Sequence, residues 1–250
     1  MNNAARIRLR LLAGFLPVTA VLYVGAEALN PRGTDQVITS TATAFKVLPV
    51  AASHSAQLYL SGSLTVLALG GLAVSYAAIA ALVTRRGWVI ATVAALLGSL
   101  GAFTGAIVNV LVGVNLAAAA SAHMSQEAAA RFLVTTSHSA PYHVAGYAYF
   151  LSEYAAPVLM GLALWRSRSV PRWLAVLFTA GLEIAEGQGS GGPKVVLFML
   201  PFAVAMVLLA ARIWQAAVRP AAQLSDTTPT PSAAGLPDLA TTPLRAGPGS

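Results

Sequence analysis

The chain has 250 residues, of which 57% are hydrophobic and only 9% charged. A soluble domain carries roughly 25% charged residues, so this chain cannot cover a water-facing surface and much of it must face lipid. The net charge of +7 does not indicate nucleic-acid binding, because the basic residues stand in short clusters between apolar runs, and the absence of cysteine excludes disulfides, thiolate metal sites and cysteine nucleophiles.

Arg6, Arg8 and Arg10 precede an apolar run over residues 11–29, read as a first transmembrane helix. A basic start, an apolar centre and the small-x-small site Ala26-Glu27-Ala28 also fit a cleaved signal peptide. Asn30-Pro31-Arg32-Gly33 ends the run with turn chemistry. Residues 34–52, rich in Thr, Ala and Val with Lys46 and Pro49, read as an external loop at the membrane surface. Spans follow at about 56–83, stopped by Arg85-Arg86, and at about 88–116. Each exceeds the ~20 residues needed to cross a hydrocarbon core of about 30 Å. In the Ala-rich loop 117–136, His123, Glu127 and Arg131 stand at four-residue spacing, which marks a short surface helix. A fourth span, about 141–165, closes at Arg166, Arg168 and Arg172. A short fifth, about 173–187, runs into a glycine-rich stretch, and a sixth covers about 195–214. Residues 220–250 hold six prolines and no aromatic residue, the composition of a disordered tail.

The expected fold is therefore all-α, a polytopic transmembrane bundle of six spans over residues 1–219 followed by a cytoplasmic tail. Eleven Lys and Arg residues fall on the side that holds both termini and four on the other. By the positive-inside rule this makes a multi-pass protein of the cell membrane with both termini cytoplasmic. Ser53-His54-Ser55-Ala56 recurs as Ser137-His138-Ser139-Ala140 at an offset of 84 residues, and Gly14, Leu16 and Gly62 recur at the same offset as Gly98, Leu100 and Gly146. A duplicated helical hairpin would produce this repeat.

Ionisable residues inside spans are costly and are functional candidates. Glu153 lies twelve residues from Pro141 and twelve from Trp165, near the middle of its span. Tyr142, Gly146, Tyr149 and Glu153 recur at spacings of 4, 3 and 4, as do Thr179, Glu183, Glu186 and Ser190 in the next span. Two helices joined by a short turn pack antiparallel, so these stripes are expected to face each other. The candidate site is thus Glu153, Glu183 and Glu186 with Tyr142, Tyr149 and His143, acting on protons or cations, or else serving as hydrogen-bonded packing. His54, His123, His138 and His143 lie on the external side with Glu27 and Glu186 but match no ligand spacing, so no metal and no cofactor are expected. Ser190 fails the G-x-S-x-G pattern because position 188 is Gln. Gly101 and Gly105 form a G-x-x-x-G pair suited to close helix packing.

The layout resembles small polytopic membrane proteins of actinobacterial type. The features are the Arg-flanked first span with Gly14, the Asn30–Gly33 turn, His54 opening the second span, the segment ending in Arg85-Arg86 and the Pro/Thr tail. Those families carry no established activity, so the resemblance implies a helical-bundle fold and no catalytic residues. Three functions stay open: a transporter-like protein using buried carboxylates, an intramembrane enzyme with a Glu general acid acting on a lipid or isoprenoid-like substrate, and a non-catalytic assembly partner. The partners implied are the lipid bilayer and a second copy or another membrane protein, with no nucleic acid.

Overall fold

The computed structural model describes residues 3–31, 34, 38–84, 86–121, 124–187 and 194–218, without the side chains of Asn3 and Glu186. All regular structure among these residues is helical. The order is α1 (Asn3–Leu29), α2 (Thr41–Ser53), α3 (Ser55–Ala80), α4 (Trp88–Asn109), a wider π-helical turn (Val110–Val114), α5 (Asn115–Ser121), α6 (Gln126–Ser137), α7 (Ala140–Ser167), α8 (Arg172–Gly187) and α9 (Val195–Val218). The expected tail, His123 and the Ser190 region lie outside the described residues.

Without water to hydrogen-bond the backbone, an apolar segment must satisfy its own N–H and C=O groups, which a helix does. Hydroxyl side chains obey the same constraint. Ser63, Thr65, Ser75, Thr92 and Thr104 each donate to the carbonyl four residues earlier at 2.7–3.0 Å.

The six long helices α1, α3, α4, α7, α8 and α9 close a ring in which each packs on the next and α9 returns to α1. Leu16, Tyr76, Met160, Phe178, Phe202 and Met206 fill its interior. Its outside is also apolar: Leu67, Leu96, Phe103, Leu151 and Leu197 are 60–72% exposed. A helix bundle apolar on both faces is built for lipid. Between such helices there is no hydrophobic drive, so association needs close backbone approach at small residues. Glycines supply it around the ring. Gly71 faces Thr19, Gly98 the ring of Tyr76, Gly101 and Gly105 face α7, Gly161 faces Thr179, and Gly181 faces the backbone of Phe202. The α1–α9 contact instead uses rings, Tyr23 edge-on to Phe202 and the Arg10 guanidinium over Trp214.

A second, smaller core joins α2, α5 and α6 through Val47, Leu48, Leu116, Ala130 and Leu133, where α3 begins and the π-helical turn ends. The segment expected to be a loop at 34–52 is therefore mostly helix. The Ser40 hydroxyl accepts from the Thr43 amide at 3.2 Å and caps α2, whose residues Ala44, Val47, Leu48 and Ala51 are buried at helical spacing. The expected surface helix is α6, with Arg131 donating to Glu127 at 2.7 Å across one turn. The two Ser-His-Ser-Ala segments occupy matching positions, His54 between α2 and α3 and His138 between α6 and α7.

Among the described residues, four helical stretches are long and apolar enough to cross a membrane: Ala4–Leu29, Ser55–Ala80, Trp88–Ser121 and Val195–Val218. α7 has 28 residues but carries more polar side chains, and α8 has only 16. By length and composition alone the span count is four, below the six expected from the sequence.

A direct test of this packing is Gly105. A Cβ there would come within 2.7 Å of two ring carbons of Tyr149, whereas one at Gly70 would meet nothing within 4 Å. Gly105→Ala should cost about 1–3 kcal/mol through overpacking. Gly70→Ala, on an exposed helix face, should be neutral or gain up to ~1 kcal/mol from helix propensity. Thermal unfolding of the purified protein in one detergent measures both.

Candidate functional site

Gly101 and Gly105 bring α7 against α4 at Ser152 and Tyr149: an added Cβ would sit 2.9 Å from Ser152 Cβ and 2.7 Å from the Tyr149 ring. One helical turn along α7, the Tyr149 hydroxyl donates to Glu153 Oε1 at 2.5 Å. Tyr149 and Glu153 border a void of about 20 Å³ between Tyr76, Gly98, Gly101 and Leu182. That is room for about one water molecule.

Tyr149 also walls a larger chamber of about 290 Å³ at the end of the ring where α2, α5 and α6 lie. α1 contributes Tyr23 and Glu27, α3 contributes Ser61 and Thr65, α4 contributes Asn109, and α7 contributes Tyr142 and Tyr149. Asn30 and Thr34 complete the polar lining. Small residues keep the chamber open: Gly62, Gly105 and Gly113 all line it. Asn109 reaches in beside two of them, its Oδ1 lying 3.5 and 3.6 Å from where Cβ atoms of Gly62 and Gly113 would stand. The α-helix widens into the π-helical turn at the next residue, a local rearrangement often found at functional sites.

The chamber is rich in hydrogen-bond acceptors. The Ser61 hydroxyl donates to the Ala26 carbonyl at 2.9 Å, tying α3 to α1 one residue before Glu27. The Thr65 hydroxyl donates to the Ser61 carbonyl at 3.0 Å. With those protons committed and the Tyr149 proton directed at Glu153, the three oxygens remain as acceptors. Glu27 Oε2 and Asn109 Oδ1 are both withdrawn from solvent, and Asn109 Oδ1 has no hydrogen-bond partner among the described residues. Among the described residues no Lys, Arg or His lines the chamber and Glu27 is its one acidic side chain, which sets a negative potential there when ionised. Such a space suits an occupant that donates hydrogen bonds, such as water or a hydrated proton, or a small cation that the oxygens coordinate.

Of the residues singled out from the sequence, Tyr142 and Tyr149 line the chamber, and Glu153 joins it through Tyr149. His143 is exposed and packs with other rings, at 5.8 Å from Tyr142, 6.3 Å from His138 and stacked at 6.4 Å on Tyr147. Glu183 on α8 is partly buried and borders neither the chamber nor the void, although Leu182 and Ala185 beside it do. The two helices touch nearby, where the Thr179 hydroxyl donates to the Pro157 carbonyl at 3.2 Å. The side chain of Glu186 lies outside the described residues. Gly101 and Gly105 do pack α4 on α7. Among the described residues no group of three His, Asp or Glu side chains is placed to hold a metal ion.

The sequence reading missed the role of Glu27 and Asn109. Tyr23 and Glu27 stand four apart in an apolar helix, the same spacing that drew attention to Tyr149 and Glu153. Asn109 is one of two amide side chains in the third span, with Asn115. Comparison of the chain with known protein families, with curated proteins and with solved structures finds no match to any of them.

Proposed function

We propose that the chain is a transporter-like membrane protein that admits a proton or small cation to the acceptor-lined chamber and links it to Glu153 through Tyr149. The observation that carries this reading is the double placement of Tyr149, which walls the chamber and hydrogen-bonds Glu153 at 2.5 Å. A proton arriving from chamber water binds the phenol oxygen as the phenol's own proton passes to Glu153 Oε1. The phenol is regenerated and Glu153 becomes a neutral carboxylic acid. Return of that proton through the water-sized void resets the pair. Glu27 supplies the negative charge that draws the cation in, and Asn109 with the Ser61 and Thr65 oxygens replaces part of its hydration. A single carboxylate favours a proton or monovalent cation, since calcium takes about six to eight oxygen ligands, commonly with several carboxylates.

In this reading six helices cross the membrane and both termini are cytoplasmic. α7 and α8 complete the ring with the four more apolar helices α1, α3, α4 and α9. Val144, Tyr147, Leu151, Val158 and Leu162 give α7 an exposed, mostly apolar stripe that suits lipid. α8, at about 1.5 Å per residue, spans less than a full hydrocarbon core, which local thinning of the bilayer accommodates. The matching Ser-His-Ser-Ala junctions support descent of α1–α3 and α4–α7 from one duplicated unit.

The chain has no cysteine, so single-cysteine variants report topology without background. Thr135→Cys on α6 should react with a membrane-impermeant maleimide in intact cells. Ser169→Cys, in the turn between α7 and α8, should react only after permeabilisation. The reverse pattern would invert the proposed orientation.

Proton movement is tested in vesicles holding the purified protein and a trapped pH dye, under an inside-negative potassium diffusion potential. Wild type should acidify the interior faster than protein-free vesicles, and Glu27→Gln, Glu153→Gln and Tyr149→Phe should each slow it at least tenfold. Wild-type uptake no faster than that of empty vesicles, or unchanged uptake in all three variants, would overturn the reading.

A further inference from the structure

The outward face of the α7–α8 pair carries a groove of about 430 Å³. Val158, Leu162 and Trp165 form one wall, and Val176 and Ala180 the other. Its floor is set by Gly161, where an added Cβ would collide with the Thr179 hydroxyl, so the two helices touch there and the larger flanking side chains stand apart. The one hydroxyl on that floor faces internal acceptors, the carbonyls of Pro157 at 3.2 Å and Ala175 at 3.1 Å. The groove therefore presents an apolar surface.

At the Trp165 end the chemistry changes. The Arg172 guanidinium lies over the Trp165 ring, 5.1 Å from its centre, which holds the charge at the mouth of the groove. Arg166 and Arg168 are exposed in the same turn. No Asp or Glu occurs between Glu153 and Glu183, and among the described residues no ion pair engages these three arginines. An apolar trough ending in uncompensated guanidinium groups matches one kind of molecule, an acyl chain bearing an anionic phosphate. Arginine is suited to that headgroup, because its planar fork can bind two phosphate oxygens at once.

We infer that this groove is a binding site for a single anionic phospholipid, with one acyl chain along Gly161 and the phosphate on Arg172, assisted by Arg166 and Arg168. The site lies on the outside of the ring and is independent of the chamber. Arg172→Gln removes the headgroup contact and leaves the trough. Ala180→Phe fills the trough from its rim and leaves the arginines.

The test is native mass spectrometry of the delipidated protein titrated with phosphatidylglycerol or phosphatidylcholine of identical chains, with glycerol phosphate as a chain-free competitor. Wild type should retain phosphatidylglycerol at least tenfold better than phosphatidylcholine. Arg172→Gln should reduce that preference to about twofold or less, Arg166→Gln with Arg168→Gln should weaken it in part, and Ala180→Phe should lower retention of both lipids. Glycerol phosphate should fail to displace the lipid. Equal retention of the two lipids by wild type would overturn the inference. So would a preference that survives both Arg172→Gln and Ala180→Phe, full displacement by glycerol phosphate, or a dimer that Ala180→Phe disrupts in place of lipid binding. Gel filtration and thermal unfolding confirm that each variant is folded before it is compared.

Discussion

The contact between Gly105 and Tyr149 is what the rest of the site depends on. Only a residue without a side chain lets an aromatic ring come so close to α4, and any Cβ would enter that ring at 2.7 Å. Seated there, Tyr149 closes the inner wall of the chamber and directs its hydroxyl to Glu153. The same device recurs around the bundle, where a glycine marks each of five helix contacts. In lipid, where apolar surfaces gain nothing by leaving water, such notches decide which helix meets which. The active geometry and the architecture thus rest on one kind of contact.

The chamber is an unusual space for the end of an apolar bundle. Ser61 and Thr65 direct their protons into the helices, which preserves the backbone and leaves acceptor oxygens behind. Asn109 adds an acceptor with no partner among the described residues. A buried acceptor without a donor is destabilising by about 1–3 kcal/mol. An occupant that donates a hydrogen bond, such as water, removes that penalty. The π-helical turn that follows Asn109 belongs to the same economy of shape: it widens the helix where Val112 and Gly113 must clear the space.

Much of this was legible in the residues. The apolar runs and arginine clusters located the long helices to within a few positions, apart from the early start of α1 and the extension of the third span to Ser121. Spacings of three and four placed Tyr149 and Glu153 together and marked Gly101 and Gly105 as packing positions. α2 was missed because Pro49 and a Thr-rich start suggest a loop, although buried Ala44, Val47, Leu48 and Ala51 have a helical period. His143 follows Tyr142 by one residue, about 100° around the helix, which turns one ring toward the chamber and the other outward. Glu183 shares a stripe with Thr179, but α8 turns its Gly181 face to α9, and two neighbouring helices divide what the periodicity treats as one direction. Glu27 stood inside a motif that resembles a cleavage site, and no single-helix pattern could reveal that Asn109 on α4 would line the same chamber as Glu27 on α1.

Coupling between the chamber and Glu153 is tested most directly by pH-difference infrared spectroscopy of the protein in lipid, following the carboxylic C=O stretch. Glu153 should give a band that Glu153→Gln removes, that Tyr149→Phe shifts in frequency by removing its hydrogen bond, and that Glu27→Gln also shifts by changing the charge in the chamber. A Glu153 band that is indifferent to both Tyr149→Phe and Glu27→Gln would contradict the coupling on which the proposed function rests.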